Sequence, residues 1–288
     1  MGVSVGELTG SGTELAFDYP QGQKATLSEL TWDLKDVAVA GVQASARLGQ
    51  RIRVNFGYWW AIDRGNGMMV DRDWLFAPTG SVLTPTTDEN WTDESRHPDT
   101  TVDSGTMVDA NVAAVVLQSG PFSLHGILGV KNESWHWSAR GGTYVYSYYD
   151  FRDSVGSFDS DQEVINYEQR FTIPYGGVGA SWRKRTFAVE THLLLSPFVH
   201  ATGSDYHALR DMTFEGDFFG GTFVGVGMNA RWAFARRWSV ALAVDYESVP
   251  EITGDVTITA PFFEEVYGVG GGIAMHNTMA TLGLGYRF

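Results

Sequence analysis

Large apolar residues occupy every second position in several segments of the chain. In residues 239–246, the alternate positions hold Val240, Leu242, Val244 and Tyr246. Residues 52–60 and 108–116 repeat the pattern, with mostly polar or small residues between the apolar ones. Successive side chains of a β-strand point to opposite faces of its sheet, so each segment predicts a strand with one apolar face and one polar or small face.

Two all-β architectures fit this alternation, a soluble β-sandwich and a membrane-spanning β-barrel. Aromatic residues lie near the ends of the apolar faces, as in the interfacial girdles of membrane barrels. The opposite faces carry Arg53, Asp109 and His192, which are too polar for the dry core of a sandwich. The last segment, 282–288, alternates up to the terminal Phe288, as strands of bacterial outer-membrane barrels do. The sequence therefore favours the barrel.

The connections between the segments are of two kinds. Short ones lie at residues 48–51, 118–121, 183–185 and 235–238. Long polar ones lie near residues 20–24, 64–106, 141–163, 203–217 and 248–266. Four short turns alternating with five long loops predict ten antiparallel strands, with both termini on the turn side.

The length of the segments adds to this prediction. Residues 25–47 read as one strand, far longer than the roughly 9–11 residues that cross a bilayer. We therefore expect an all-β fold, a ten-stranded antiparallel transmembrane β-barrel that extends beyond the outer membrane. Residues 1–288 are expected to form this barrel as a single domain.

Composition and charge exclude several other classes of protein. The 288 residues include 34 acidic and 20 basic ones, and the formal net charge of −14 argues against a nucleic-acid binder. The absence of Cys excludes disulfides, thiolate metal sites and a cysteine nucleophile. No apolar segment reaches the roughly 18–20 residues of a membrane helix. The first residues lack the basic and apolar regions of a secretory signal, so we expect a mature domain with an added initiator Met.

Two short acidic clusters are the candidates for chemistry, because the common zinc-protease, serine-hydrolase and phosphate-loop motifs are missing. They are Asp71-x-Asp73 and Asp205-x-His207. Residues two apart in an extended chain share a face, so the members of each pair project together. If both pairs face inward, three carboxylates and an imidazole are available to hold and deprotonate a water molecule. Taken alone, such pairs are more often solvated loop residues.

The sequence around these clusters resembles that of the omptins, which are outer-membrane endopeptidases of Gram-negative bacteria. The strongest match is WTDESRHPDT at residues 91–100, and GMMVDRDW at 67–74 matches the family segment that carries an aspartate pair. Further matches are ARGGTY at 139–144, FRDSVGSF at 151–158 and QRFTIPY at 169–175. The Asp205-x-His207 pair and the final Tyr-x-Phe complete the series, so the resemblance runs from about residue 6 to residue 288.

The resemblance implies a fold, a location and a mechanism. It implies a barrel in the cell outer membrane whose site faces the extracellular side. The family's aspartate pair falls on Asp71 and Asp73, and its His–Asp pair falls on His207 and Asp205. A water activated between the two pairs then attacks the peptide bond, with no covalent acyl-enzyme. The family loop also contains Ser95 and His97, to which we assign structural or secondary roles.

The resemblance also implies cleavage between basic residues. The glutamate of the first specificity pocket aligns with Glu14, and the acidic residue of the next subsite aligns with Asp93. Carboxylates bind guanidinium groups through charge-assisted, often bidentate hydrogen bonds. The net charge of −14 adds long-range attraction for cationic peptides. The expected partners are cationic peptides or proteins and the lipids of the outer membrane, with no nucleic acid, and we expect a monomer.

Three departures from the family pattern concern specificity and lipid binding. Gly203 stands where the family commonly has a further acidic residue, so the preference for a basic residue before the cut is expected to be altered. Residues 130–137 run one residue short in a segment that carries part of the family's lipopolysaccharide-binding motif. Arg170 matches a basic member of that motif and Glu133 is a second candidate, whereas Phe219 replaces a usual Lys. No metal or other cofactor is expected, and lipopolysaccharide is a candidate activator.

The sequence therefore yields a main hypothesis and two alternatives. The main hypothesis is an aspartate- and histidine-dependent endopeptidase that acts on cationic peptides or proteins. The first alternative is a non-catalytic barrel that serves as an adhesin or surface-binding protein. The second is a porin, which ranks last because side chains fill the lumen of a barrel of this size.

Overall fold

The computed structural model describes residues 1–19, 22–75 and 90–288, and these residues form thirteen β-strands. The strands are β1 Gly2–Asp18, β2 Ala25–Leu48, β3 Ile52–Ala61, β4 Gly67–Asp73, β5 Asp93–Ser119, β6 Phe122–Arg140, β7 Thr143–Tyr146, β8 Ser154–Ser157, β9 Glu163–Lys184, β10 Phe187–His207, β11 Met212–Trp232, β12 Trp238–Ala260 and β13 Phe263–Tyr286. Within these ranges, no helix is long and apolar enough to cross a bilayer.

The strands close into an antiparallel ring of ten positions, as the alternation and the turn spacing predict. The ring closes where β1 pairs with β13, from Gly2 opposite Gly285 to Ala16 opposite Gly271. One position is shared by two strands, since β3 and β4 both lie between β2 and β5. The hairpin of β7 and β8 pairs with β5 outside the ring order.

The four predicted turns each join two neighbouring strands at one end of the barrel. Above them, the outer face carries a belt of exposed apolar side chains. Representative members, on β6, β11 and β12, are Leu128, Val226, Met228, Leu242 and Val244. Such an outward apolar band is the surface that a barrel presents to lipid.

Side chains fill the lumen at two levels. Towards the loop end, Trp32, Trp137 and Tyr167 are fully buried, and the ring of Tyr167 stacks on both indoles with centroids 5.3 and 5.8 Å away. At the level of the apolar belt, ion pairs and hydrogen bonds cross the interior. Arg53 binds Glu190 at 2.8 Å. The polar residues of the inner face therefore close the lumen with paired groups, which argues against an open aqueous pore.

The loops are shorter than the polar composition predicts. The composition predicts loops over residues 203–217 and 248–266, but β10 continues to His207, β11 begins at Met212, and β12 and β13 are joined across residues 261–262. Hydropathy does not alternate where both faces of a strand meet water, although the backbone still pairs with its neighbours. β4 likewise lies inside the loop predicted for 64–106, and parts of the loops predicted for 20–24 and 64–106 fall outside the described residues.

Candidate active site

The first acidic pair lies on β4, at the loop end of the barrel. β4 is held on both sides, and Asp71 stands opposite Leu30 of β2 and Ser95 of β5. Residues two apart on a strand point the same way, so Asp71 and Asp73 share a face. The Ser28 hydroxyl of β2 donates a hydrogen bond to Asp71 Oδ1 at 3.3 Å.

The second pair lies at the end of β10, between β9 and β11. The His207 Nε2–H donates to Asp205 Oδ2 at 2.6 Å, and Asp205 is only 1% exposed. The Phe214 ring of β11 packs against the imidazole, with ring centroids 5.1 Å apart. A buried carboxylate in this position fixes both the orientation and the tautomer of the histidine, which leaves Nδ1 as the basic nitrogen.

The two pairs face one another across the mouth of the barrel, although they lie far apart in the sequence. Asp71 interacts electrostatically with Asp205, and Asp73 with His207. The structure thus brings together the four side chains that the sequence singles out. Neither pair is a freely solvated loop segment.

Burial sets the protonation of the four groups. It raises the pKa of Asp71 well above its usual range, and the neighbouring charge of Asp73 raises that pKa further. Burial also lowers the pKa of His207 to about 3, so the imidazole is neutral at neutral pH. Burial raises the pKa of Asp205 as well, against the nearby charge of Arg210. The site therefore combines a neutral histidine with carboxyl groups that hold protons more tightly than usual.

The two residues predicted to bind substrate lie on either side of this centre. Glu14 of β1 is half-buried, with its Oε2 shielded from solvent and its carboxyl next to Asp205, and it lines a small cleft. Burial and the charge of Asp205 raise the pKa of Glu14 well above its usual range. Gly203 lies in the wall of the same cleft, so the missing acidic residue leaves space there. Asp93 begins β5, accepts a hydrogen bond from the Ser147 amide at 3.0 Å, and interacts electrostatically with Asp73.

Ser95 and His97 form a buried pair beside the four-residue centre. The Ser95 hydroxyl donates to His97 Nε2 at 2.9 Å, and His97 Nδ1 donates to the Gly141 carbonyl at 2.6 Å. The His97 ring stacks on Phe158, with centroids 5.2 Å apart. Through these contacts the pair ties β5 to the residues that follow β6 and β8, which supports the structural role assigned to it.

The two candidate lipopolysaccharide ligands lie on opposite faces of the barrel wall. Arg170 of β9 is exposed on the outer face, where its guanidinium binds Glu168 at 2.7 Å. Glu133 is 2% exposed and points into the lumen, 3.4 Å from Lys131. The expectation that Glu133 contacts lipid is therefore wrong. Glu133 lies two residues after the buried Lys131 and therefore on the same face of β6. The one-residue gap in this segment leaves that face undefined in the sequence.

Sequence reasoning missed two residues at the site. Tyr146 of β7 stacks on Tyr144 with ring centroids 4.6 Å apart, and burial, followed by the charges of Asp71 and Asp73, raises the pKa of its hydroxyl. Arg210, three residues after His207, donates from its guanidinium to His207 Nδ1. Neither belongs to a recognisable motif, and only the position of Arg210 in the turn after the His–Asp pair hints at its proximity. Among the described residues, no three His, Asp or Glu side chains are grouped to hold a metal ion.

Comparison with known proteins gives a consistent assignment. A profile of the Omptin family matches residues 1–288. The chain is 30% identical to the plasminogen activator of Yersinia pestis over 99% of its own length and 88% of that protein. It is 28% identical to the outer membrane protease OmpP of Escherichia coli K12, with 99% and 89% of the two chains covered. The crystal structure of the outer membrane protease OmpT from Escherichia coli superposes with a TM-score of 0.92 at 27% identity, covering 100% of this chain and 95% of that one.

The raised pKa of the half-buried Asp71 carboxyl predicts a stability change with a defined pH dependence. Its folded pKa lies above its unfolded value, so the folded state is penalised at neutral pH and the penalty is relieved as the pH falls through the folded pKa. We expect Asp71→Asn to stabilise the barrel at pH 7.5 by on the order of 1 kcal/mol, the scale of one pKa unit. The gain is expected to shrink in acid. Urea unfolding of the refolded barrel at several pH values measures it.

The exposed Asp161 provides a matched control, since Asp161→Asn removes one carboxylate outside the site. The free energy of unfolding of this variant is expected to lie within about 0.5 kcal/mol of the wild-type value. A loss of stability in Asp71→Asn at neutral pH, or a gain that grows in acid, contradicts the electrostatic account of the site.

Proposed function

This chain belongs to the omptin family of outer-membrane proteases, and from that premise we propose that it is an endopeptidase that cleaves peptide bonds next to basic residues. The observation that carries the proposal is the convergence of Asp71, Asp73, Asp205 and His207 at the mouth of the barrel. We place this end of the barrel on the extracellular side. The ten-stranded barrel itself lies in the outer membrane.

The chemistry that these groups support is general base catalysis on a water molecule. His207 donates its Nε2–H to Asp205, so Nδ1 takes a proton from the water as the water oxygen attacks the scissile carbonyl carbon. The carbonyl π-electrons move to oxygen and form a tetrahedral intermediate. On its collapse the C–N bond breaks, and the proton held by His207 passes to the leaving amine. The imidazole is thereby returned to its neutral form.

The aspartate pair complements this base. Two adjacent, partly desolvated carboxyl groups favour retention of one proton between them. A protonated Asp71 donates a hydrogen bond to the developing oxyanion, as neutral carboxylic acids do in other enzymes. The ionised partner, Asp73, accepts the second hydrogen of the attacking water. Each group of the site then has one role, and none of these steps needs a metal ion.

Glu14 and Asp93 are proposed to select the residues around the cut. Glu14 sits in a cleft walled by aromatic side chains, where a buried carboxylate and a guanidinium form a strong pair because water does not screen them. An incoming cation favours the ionised form of Glu14, so binding in this cleft releases the extra proton. Asp93 lies beside Asp73 and suits a basic side chain on the other side of the cut.

The remaining proposals concern the surroundings of the barrel. Residues 1–288 form one domain that acts as a monomer on cationic peptides or proteins, without nucleic acid, metal or another cofactor. Lipopolysaccharide is a candidate activator, and Arg170 on the outer face remains a candidate contact for its phosphates. Phe219, also on the outer face and 73% exposed, presents an apolar side chain to the surrounding lipid.

A cleavage assay tests the proposed activity. The barrel is refolded with rough lipopolysaccharide and given a quenched peptide that contains Arg-Arg or Arg-Lys. Loss of a single acid–base group costs about 10²–10⁴-fold, so Asp71→Asn and His207→Ala are expected to lose activity on this scale while Asp161→Asn keeps it. The difference in gel mobility between heated and unheated samples verifies that all variants fold. Full turnover in the two site variants would refute the site, and a wild-type barrel that cuts no basic peptide would favour the adhesin.

The subsite roles predict two separable changes in specificity. Glu14→Gln keeps the side-chain shape but removes the charge, and a charged hydrogen bond is worth about 1.5–3 kcal/mol. We therefore expect about a 10- to 100-fold loss of the preference for Arg over citrulline before the cut. Asp93→Asn is expected to lose the same preference after the cut. Competition between paired Arg and citrulline peptides, read by mass spectrometry, gives the ratios, and a ratio unchanged at its own position disproves that assignment.

A further inference from the structure

Arg210 lies in the four-residue turn between β10 and β11, and its side chain folds back into the site. The turn is well defined, because the Arg210 amide donates to the His207 carbonyl at 3.1 Å and the Tyr206 hydroxyl donates to Asp211 at 3.0 Å. The Arg210 guanidinium donates to His207 Nδ1. Since Nε2 is already bonded to Asp205, Arg210 covers the one ring nitrogen that is free to act as a base.

The guanidinium also acts on the three aspartates of the site. Its charge favours the ionised forms of Asp71, Asp73 and Asp205. A single resident cation therefore offsets part of the negative charge at the place where a basic substrate side chain would bind. Arg210 therefore lies among the same carboxylates that would attract a basic side chain of the substrate.

Arg210 is held in this position only loosely. The nearby Arg72 and Arg96 are each anchored on Glu94, at 2.8 and 2.7 Å. By contrast, no carboxylate of the described residues lies within ion-pair distance of the Arg210 guanidinium, whose side chain belongs to an exposed residue at the rim. A cation that is attracted by several carboxylates but paired with none can be displaced at small cost.

From these contacts we propose that Arg210 is an internal competitor that occupies the site of the resting barrel and is displaced by a basic side chain of the substrate. The proposal rests on the function proposed above and adds an autoinhibitory contact to it. When a cationic peptide engages Glu14 and Asp93, a second guanidinium near the same carboxylates is disfavoured by like-charge repulsion. Arg210 then swings to solvent, and His207 Nδ1 becomes accessible to water.

The same position would also suit an opposite role, in which Arg210 stabilises the oxyanion. The two roles predict opposite effects of the same substitution on cleavage, so one variant separates them. If Arg210 is an internal competitor, Arg210→Ala removes it and is expected to lower KM for an Arg-Arg peptide about twofold to fivefold, the scale of an exposed charge contact. The value of kcat is expected to stay unchanged. An oxyanion-stabilising group instead predicts a loss of kcat of about 10²-fold or more.

Guanidinium ion provides a second, independent readout. In Arg210→Ala, millimolar guanidinium chloride is expected to refill the vacated position and inhibit cleavage competitively, whereas the wild type responds no more than it does to NaCl of equal ionic strength. Activation of the variant by guanidinium would overturn the proposal in favour of the oxyanion role. Arg236→Ala, in a turn at the opposite end of the barrel, removes one charge as a matched control and is expected to behave as the wild type.

A chemical measurement tests the contact without relying on cleavage. Diethylpyrocarbonate acylates neutral, accessible imidazole nitrogens, and peptide mass spectrometry after partial modification reports each histidine separately. At pH 8 we expect His207 to react several-fold faster in Arg210→Ala than in the wild type and in Arg236→Ala, with His136 of β6 as the internal reference. Equal rates at His207 overturn the proposal. An inactive wild type with faster His207 acylation in the variant overturns the proposed function and leaves the covering contact established.

Discussion

The structure depends on the closure of one antiparallel sheet, in which β1 pairs with β13 from Gly2 to Ala16. Closure satisfies the backbone of every strand position and fixes the order in which ten positions stand around the ring. It therefore determines that β4 and β10, which are distant in sequence, present their ends across a narrow lumen. No loop has to carry the four ionisable side chains, since paired strands position them, and paired strands hold side chains more precisely than loops do.

The side chains that fill the lumen differ between the level of the apolar belt and the loop end, and the candidate site lies at the loop end. At the level of the apolar belt, polar groups such as Arg53 and Glu190 find partners of opposite charge, and these pairs close the interior. Nearer the loop end, the stacked Trp32, Trp137 and Tyr167 form an apolar plug beneath the site. Above these rings, the buried Asp205 and the half-buried Glu14, Asp71 and Asp73 lie near one another, and none of the four forms an ion pair with a Lys or Arg of the described residues. Unpaired buried charge is costly, and such cost is typical of sites where activity, rather than stability, decides the residue.

The sequence could predict most of this fold because a strand with one lipid-facing side must alternate, and the alternation in residues 52–60 and 239–246 is strong. It could not predict where strands end above the membrane, because the apolar face vanishes there while pairing continues to His207 and Ala260. The sequence could not predict which face of its strand carries Glu133, because residues 130–137 run one residue short of the family pattern. The Asp71 and Asp205 pairs were visible as i, i+2 spacings, but their meeting depends on ring closure. The contact of Arg210 depends on a turn and a rotamer, which no periodicity encodes.

The central claim is that two pairs of side chains from opposite walls act on one water molecule. A double-mutant cycle in kcat between Asp71→Asn and Asp205→Asn tests it most directly, because residues that act as a unit lose their effects together. The account predicts that the double variant is no more than a few-fold slower than the slower single variant. If the two losses multiply instead, the pairs act independently, and the shared-water account is contradicted.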